Sequence, residues 1–176
     1  MTMLCEALTN DFIALAPLAL VATDYKAKGY HLDITLAPAQ VVAAAAIMNG
    51  RGYTLEAVTG VDWLTAAAPK PAKKAALAEG EEAPAEEPAA PVAEQMEVVY
   101  DYSHTGKELC RVVVRCRIPR DNPELPTVSE VFPGANWHEC ETHDFFGIRF
   151  LGHPDLSPLL LPEDADFHPL LKDFKA

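Results

Sequence analysis

The stretch from Met96 to Ile118 constrains this chain most. Met96, Val98, Tyr100 and Tyr102 alternate with Glu97, Val99, Asp101 and Ser103. Beyond a turn at Thr105-Gly106-Lys107, Cys110, Val112, Val114, Cys116 and Ile118 fall on one side, and Arg111, Arg115 and Arg117 on the other. Two runs of period two joined by a short glycine-containing turn specify a β-hairpin with one apolar face. A lone hairpin is marginal in water, so that face demands further strands or a layer of helices. The outer faces oppose acid to base, in cross-strand pairs that contribute about 0.2–1 kcal/mol each. The arginines therefore read as a balanced, solvated face rather than an anion site. Cys110 and Cys116 read as core thiols that behave as small apolar side chains.

The rest of the chain supplies candidates for that layer. Leu4, Leu8 and Phe12 have helical spacing near the start. In Tyr30 to Leu36, Leu32, Ile34 and Leu36 alternate with polar residues as in a half-buried strand. Pro38 suits the first turn of a helix over Ala39 to Met48, with Val41, Ala44, Ala45 and Met48 on one face and Asn49-Gly50 as its stop. Tyr53 to Leu64 is again strand-like. Residues 66–95 change character to Ala, Pro, Glu and Lys, with Leu77 and Val92 as the larger aliphatics. Such a segment buries too little apolar area to offset its ordering entropy, so a disordered, extended surface loop is expected. Further on, Thr127-Val128-Ser129-Glu130 has the form of a capping box that opens a short helix. Ala135 to Phe146 suits a second helix, with Asn136 as N-cap and Gly147 just past its end.

These elements describe an α+β fold, a small mixed or antiparallel sheet with helices packed on it. Residues 1–65 and 96–150 form one domain, and 151–176 form an extended tail. Leu156, Leu159 to Leu161, Leu170, Leu171 and Phe174 in that tail lack a periodic scaffold, which points to docking on a partner.

Composition removes several functions. A net charge of −12 argues against nucleic acid or anionic lipid as partner. The four cysteines contain no C-x-x-C pair, against zinc ribbons and iron–sulfur clusters. No basic-then-apolar leader and no spanning apolar run is evident. A soluble cytoplasmic protein with reduced cysteines is the expectation.

The chemistry-bearing residues crowd into 133–154. His138-Glu139 followed by His143 resembles a zinc-protease helix. The histidines at 138 and 143, however, stand about 140° apart on a helix, where that motif needs them one turn apart. Glu141 with Asp144, or Cys140 with Asp144, can share a helix face as an acid/base pair. Cys140 with a histidine base would make a nucleophile. A hydrolase using His138, Glu139 and Cys140 is the alternative from that class. No phosphate loop or activated serine accompanies these groups. A charged helix that docks on another protein fits them better.

The residues also carry a resemblance. Pro133-Gly134-Ala135-Asn136-Trp137, Glu139, Glu141, Asp144, Gly147 and Ile148 are followed by Gly152-His153-Pro154-Asp155-Leu156, Pro162-Glu163-Asp164, His168-Pro169-Leu170 and Lys172-Asp173. This pattern resembles the 30-kDa subunit family of respiratory complex I, the bacterial NADH:quinone oxidoreductase. Thr59-Gly60-Val61-Asp62 and the approach from Pro123 to Val131 fit it as well. Cys140, Ser157, Pro158 and Leu171 stand where the family carries arginine, and Ala165-Asp166-Phe167 replaces Trp-x-Gly.

The resemblance implies a non-catalytic subunit of a membrane-associated translocase, peripheral on the cytoplasmic side. It implies that the chain packs against the 49-kDa-type quinone-site subunit and neighbouring iron–sulfur subunits. It implies no cofactor on this chain; the complex would use NADH, FMN, iron–sulfur clusters and quinone. The same family occurs in energy-converting [NiFe] hydrogenases, which is the alternative assembly. Trp137, Glu139, Glu141, Asp144, Gly147, Gly152, His153, Pro154, Pro162, Glu163, Asp164, His168, Pro169, Lys172 and Asp173 are the docking residues it implies.

Overall fold

A computed structural model of the chain describes residues 3–64, 94–106 and 108–175. The hairpin forms as its alternation requires. β4 (Gln95–Thr105) and β5 (Leu109–Pro119) pair antiparallel, from Gln95 opposite Pro119 to Thr105 opposite Leu109. β3 (Thr54–Asp62) lies antiparallel on the free edge of β4. β2 (Leu32–Leu36) lies parallel to β5, and β1 (Ala19–Ala22) closes the far edge antiparallel to β2. The result is a five-stranded mixed sheet in the order β1-β2-β5-β4-β3, within an α+β fold.

One sheet face is apolar and covered. Leu32, Ile34, Leu36, Val98, Tyr100, Val112, Val114 and Cys116 are buried there. Helix α1 (Met3–Ala14) adds Leu8 and Phe12 to the same core; α3 (Val41–Gly50) adds Val41, Ala44, Ala45 and Met48. Each large aliphatic buried in this way contributes about 1.5–3 kcal/mol. The other face carries the arginines. Arg115 Nε donates to Asp33 at 3.0 Å, and Arg115 and Arg117 approach Glu97 at 3.4 and 3.5 Å. Arg111 pairs with Glu56. Trp63 Nε1 donates to Glu97 at 3.3 Å, and the Arg117 guanidinium lies over the Trp63 ring.

Helix α4 (Ala135–Phe146) packs against β3. Gly60 makes this approach possible, since a Cβ there would lie 2.5 Å from the Phe146 ring. The Thr142 hydroxyl donates to the Val58 carbonyl at 3.2 Å. A small parallel pair, β6 (Glu124–Pro126) with β7 (Arg149–Leu151), buries Leu125 and Phe150 beside α4.

Several local expectations change. Cys5 and Cys110 are joined as a disulfide, so Cys110 is not a free core thiol and the cysteines are not all reduced. They lie 105 residues apart in sequence, a pairing without local signature. Cys116 and Cys140 are the free, buried thiols, and the Cys116 pKa is pushed up to about 12 by burial and then by Glu97. α3 ends at Gly50, so the Asn49-Gly50 stop holds with both residues inside the last turn, and Gly52 takes the left-handed conformation at φ 75°. The first turn, Pro38–Gln40, is a 3₁₀ turn. Residues 129–131 form a turn and not a helix. The Thr127 hydroxyl donates to Glu139 rather than closing a box with Glu130. Gly134, not Asn136, caps α4, while Gly147 ends it as expected at φ 73°. β1 and the four-residue helix α2 (Tyr25–Lys28) carried no clear pattern. Of the expected 66–95 loop, 66–93 lies outside the described residues, and Gln95 already belongs to β4.

Candidate functional site: the signature helix and its tail

Helix α4 buries polar residues. Glu139, Thr142 and Asp144 are at most 4% exposed, and Ala135 and Cys140 are buried beside them. Buried polar groups need partners, and here the partners belong to the same chain. Glu139 accepts the Val128 N–H at 2.8 Å and the Thr127 hydroxyl. Burial pushes its carboxyl above the usual glutamate range, against the pull of those two bonds. Asp144 Oδ2 accepts the N–H groups of Leu159 and Leu160 at 2.8 Å each and of Leu161 at 3.4 Å.

The histidines hold carbonyls. His168 Nδ1 donates to the Asp144 carbonyl at 2.8 Å, and its ring lies over Gly147, where a Cβ would fall 2.7 Å from it. His143 Nδ1 donates to the Ile148 carbonyl at 2.9 Å. His153 accepts the Asp155 N–H on Nδ1 at 3.2 Å and donates from Nε2 to the Asn136 carbonyl at 3.3 Å. Gly152 takes φ 83° in the turn before it.

Farther along, Lys172 N–H donates to Asp62 Oδ2 at 3.0 Å. Arg120 contacts Asp62 at 3.2 and 3.3 Å and Asp173 at 2.5 Å. Burial works to raise the Asp62 carboxyl. The Lys172 and Leu64 N–H groups and Arg120 outweigh it and hold the carboxyl below the usual aspartate range.

The tail is therefore bound to its own domain at residues 159–161 and 168–173. Leu156 and Leu171 pack on the core. Trp137, Leu160 and Leu170 stay 64, 60 and 53% exposed; Phe167 and Phe174 stack on each other and remain partly open. Glu141, Pro154, Pro162, Glu163 and Asp164 are exposed, and Pro169 is half-buried. Glu141 borders a shallow cavity of about 110 Å³ with Gly60, Phe145, Phe146 and Leu170.

This geometry decides among the expected chemistries. Glu141 is exposed while Asp144 is buried, so they do not form one acid/base pair. The Cys140 sulfur faces the Asp155 carbonyl at 3.4 Å and His153 Nε2 at 4.0 Å. Burial, then the charges of Asp144, Asp155 and Glu139, raise its pKa, which disfavours the thiolate a nucleophile needs. Among the described residues, Cys5, His31 and Cys110 form the one cluster of metal-ligand type. Its two sulfurs bind each other and so offer no thiolate, and the His31 Nδ1 lone pair accepts the Arg111 N–H at 3.0 Å.

Comparison with known proteins places this architecture. The family model described as "Respiratory-chain NADH dehydrogenase, 30 Kd subunit" matches residues 34–176. The chain belongs to this family. It is 49% identical over 63 residues to the C-subunit of the NADH-quinone oxidoreductase of Roseiflexus castenholzii, 36% of each chain. It is 38% identical over 86 residues to the C-subunit of the F(420)H(2) dehydrogenase of Methanosarcina mazei, 48% of this chain and 54% of that one. The match spans well under two thirds of these relatives' lengths. A solved structure of a trypsin-resistant Nqo5 fragment aligns at TM-score 0.61 and 26% identity, over 88% of this chain and all of that one. A chain of a membrane-bound sulfane sulfur reductase, an archaeal respiratory membrane complex, aligns at TM-score 0.67 and 21% identity, over 97% and 85%, and shares the fold. Among the described residues no helix is long and apolar enough to cross a membrane.

The family signature thus divides in two. Glu139, Asp144, Gly147, His153, His168, Lys172 and Asp173 engage their own chain. Trp137, Glu141, Pro154, Pro162, Glu163 and Asp164 face outward. Sequence reasoning missed Thr127 as the Glu139 partner and Arg120 as the anchor of Asp173. Both join residues far apart in sequence, and neither has a local signal.

Proposed function

We propose that this chain is a non-catalytic structural subunit of a proton-translocating NADH:quinone oxidoreductase, docked on the large 49-kDa-type subunit of the quinone-reducing module and on neighbouring iron–sulfur subunits. The observation that carries this reading is the tail. Its backbone is fastened to the domain while Leu160, Phe167, Leu170 and Phe174 point outward. Exposed apolar side chains on a fastened support suit a protein partner better than solvent. Glu141 lines a cavity with Leu170, and exposed Glu163, Asp164 and Asp166 precede Phe167 in the chain, while Lys172 and Lys175 flank Phe174. The partner surface is therefore apolar, with a rim that is basic toward Phe167 and Leu170.

Glu139, Asp144, His153 and His168 hold backbone groups of this chain, and on this reading the redox chemistry belongs to other subunits. NADH, FMN, iron–sulfur clusters and quinone belong to the complex, with this subunit peripheral on its cytoplasmic side. The F(420)H(2) dehydrogenase relative favours a second reading for the electron donor. On that reading the complex takes electrons from a donor other than NADH, and this chain is the equivalent structural subunit of a membrane-bound energy-converting [NiFe] hydrogenase. Neighbouring genes distinguish the two: flavin and NADH-binding subunits support the first, nickel-ligand cysteine pairs in the large subunit the alternative. The direct test is affinity purification of the tagged native protein from detergent-solubilised membranes. Recovery of the large subunit is expected; its consistent absence sinks the proposal.

A further inference from the structure

We infer that Asp62 and Asp144 are positioning residues that set the C-terminal tail in its docking shape before any partner arrives. The inference rests on the docking reading above and adds the residues that control it. Residues 152–175 contain no strand and no helix. Their N–H groups consequently lack the ladder partners that regular structure provides. Two buried carboxylates take that place. Asp144, on α4, collects three successive N–H groups at Leu159, Leu160 and Leu161. Asp62, at the end of β3, takes the N–H of Lys172, and Arg120 joins that carboxylate to Asp173. Both carboxylates sit on regular elements of the domain and are 3–4% exposed.

The outward apolar residues are placed relative to these two pins. Leu160 is itself inside the Asp144 pin. Phe167 and Leu170 lie between the pins, where His168 Nδ1 and the Leu170 N–H also donate to the α4 carbonyls of Asp144 and Phe145 at 2.8 and 3.1 Å. Phe174 directly follows the second pin. Trp137 and Asp144 are seven residues apart on α4, hence on one stripe of the helix. A tail that is correctly shaped only part of the time binds with an apparent Kd raised by the reciprocal of that fraction. The pins keep that fraction near one.

Amide hydrogen exchange on the full chain, paired with association kinetics against the large subunit purified from the same cells, tests this. Asp144→Ala should accelerate exchange at residues 159–161 about tenfold or more while β4 and β5 stay protected. If the shaped fraction falls to about a tenth, apparent Kd rises about tenfold, mainly through slower association. Asp144→Asn keeps an acceptor oxygen and should recover most of both effects. Asp62→Asn should act in the same direction at Lys172, since it also loses the Arg120 ion pair. Unchanged tail exchange, or faster exchange with unchanged association, overturns the inference. So does loss of β4 and β5 protection in both the alanine and the asparagine variants, which would make these residues fold elements. If wild-type chain fails to bind the large subunit while the exchange results hold, the docking reading is what fails.

Discussion

Two polar regions of this molecule solve the same electrostatic problem differently. On the outer sheet face, charge meets charge. Asp33, Arg115, Glu97 and Arg117 form a ladder across neighbouring strands, with Arg117 54% exposed at one end. Around α4 and the tail, carboxylates meet backbone N–H groups instead: Glu139 with Val128, Asp144 with Leu159 to Leu161, Asp62 with Lys172. The exposed Arg117 end of this ladder adds little to stability, because water screens it, whereas buried Glu97 depends on Arg115, Arg117 and Trp63 for its partners. The second positions a segment with no regular structure of its own. Equal carboxylates thus decorate a fold in one place and route the chain in another.

Measurements can break or sharpen this contrast. The largest expected loss is at neither region. Reducing the Cys5–Cys110 disulfide should cost about 4 kcal/mol in chemical denaturation, through the long loop it closes, yet leave tail exchange unchanged. Glu139→Ala should cost about 3 kcal/mol, because it strands the buried Val128 N–H. Glu139→Gln should cost less. A glutamate whose folded pKa is raised is relieved as pH falls, so wild type should gain on Glu139→Gln from neutrality toward the ordinary glutamate range. The depressed Asp62 carboxyl has the opposite sign. Its contribution is complete above the ordinary aspartate value near 3.8 and lost below it, so strong acid should release the Lys172 end of the tail. Gly60→Ala should cost about 2 kcal/mol by displacing the Phe146 ring, read as a lowered urea midpoint. Arg117→Ala should cost less than about 1 kcal/mol, since Arg115 still faces Glu97. A loss near 3 kcal/mol there would erase the contrast between the two regions.

Much of the architecture was legible in the residues. The hairpin, the buried faces of α1 and α3 and the glycine that ends α4 follow from periods of two and 3.6 and from local backbone preference. The outer arginines were legible too, because strand alternation places acid beside base. Within the candidate site, the resemblance located the signature but not the direction of its side chains. Glu139 and Asp144 were expected at a docking surface and are instead turned inward. Their orientation depends on where Val128 and Leu159 pass, and helical spacing carries no record of that. The Thr127–Glu130 pattern misled for the same reason. The Thr127 hydroxyl accepts the Ser129 N–H locally at 3.1 Å and donates to the remote Glu139 carboxylate, which takes the place that Glu130 would hold in a box.

The sequence by itself determined the alternating strands, the helical faces, the acidic balance and the family. Periodicity and motif are properties of neighbours along the chain. Only the tertiary structure decided that β2 runs parallel to β5, that Cys5 meets Cys110, and that Asp62 and Asp144 fasten the tail. Each of these joins groups whose separation in sequence says nothing of their distance in space. Burial selects them, because a polar group withdrawn from water must find a partner wherever the fold supplies one.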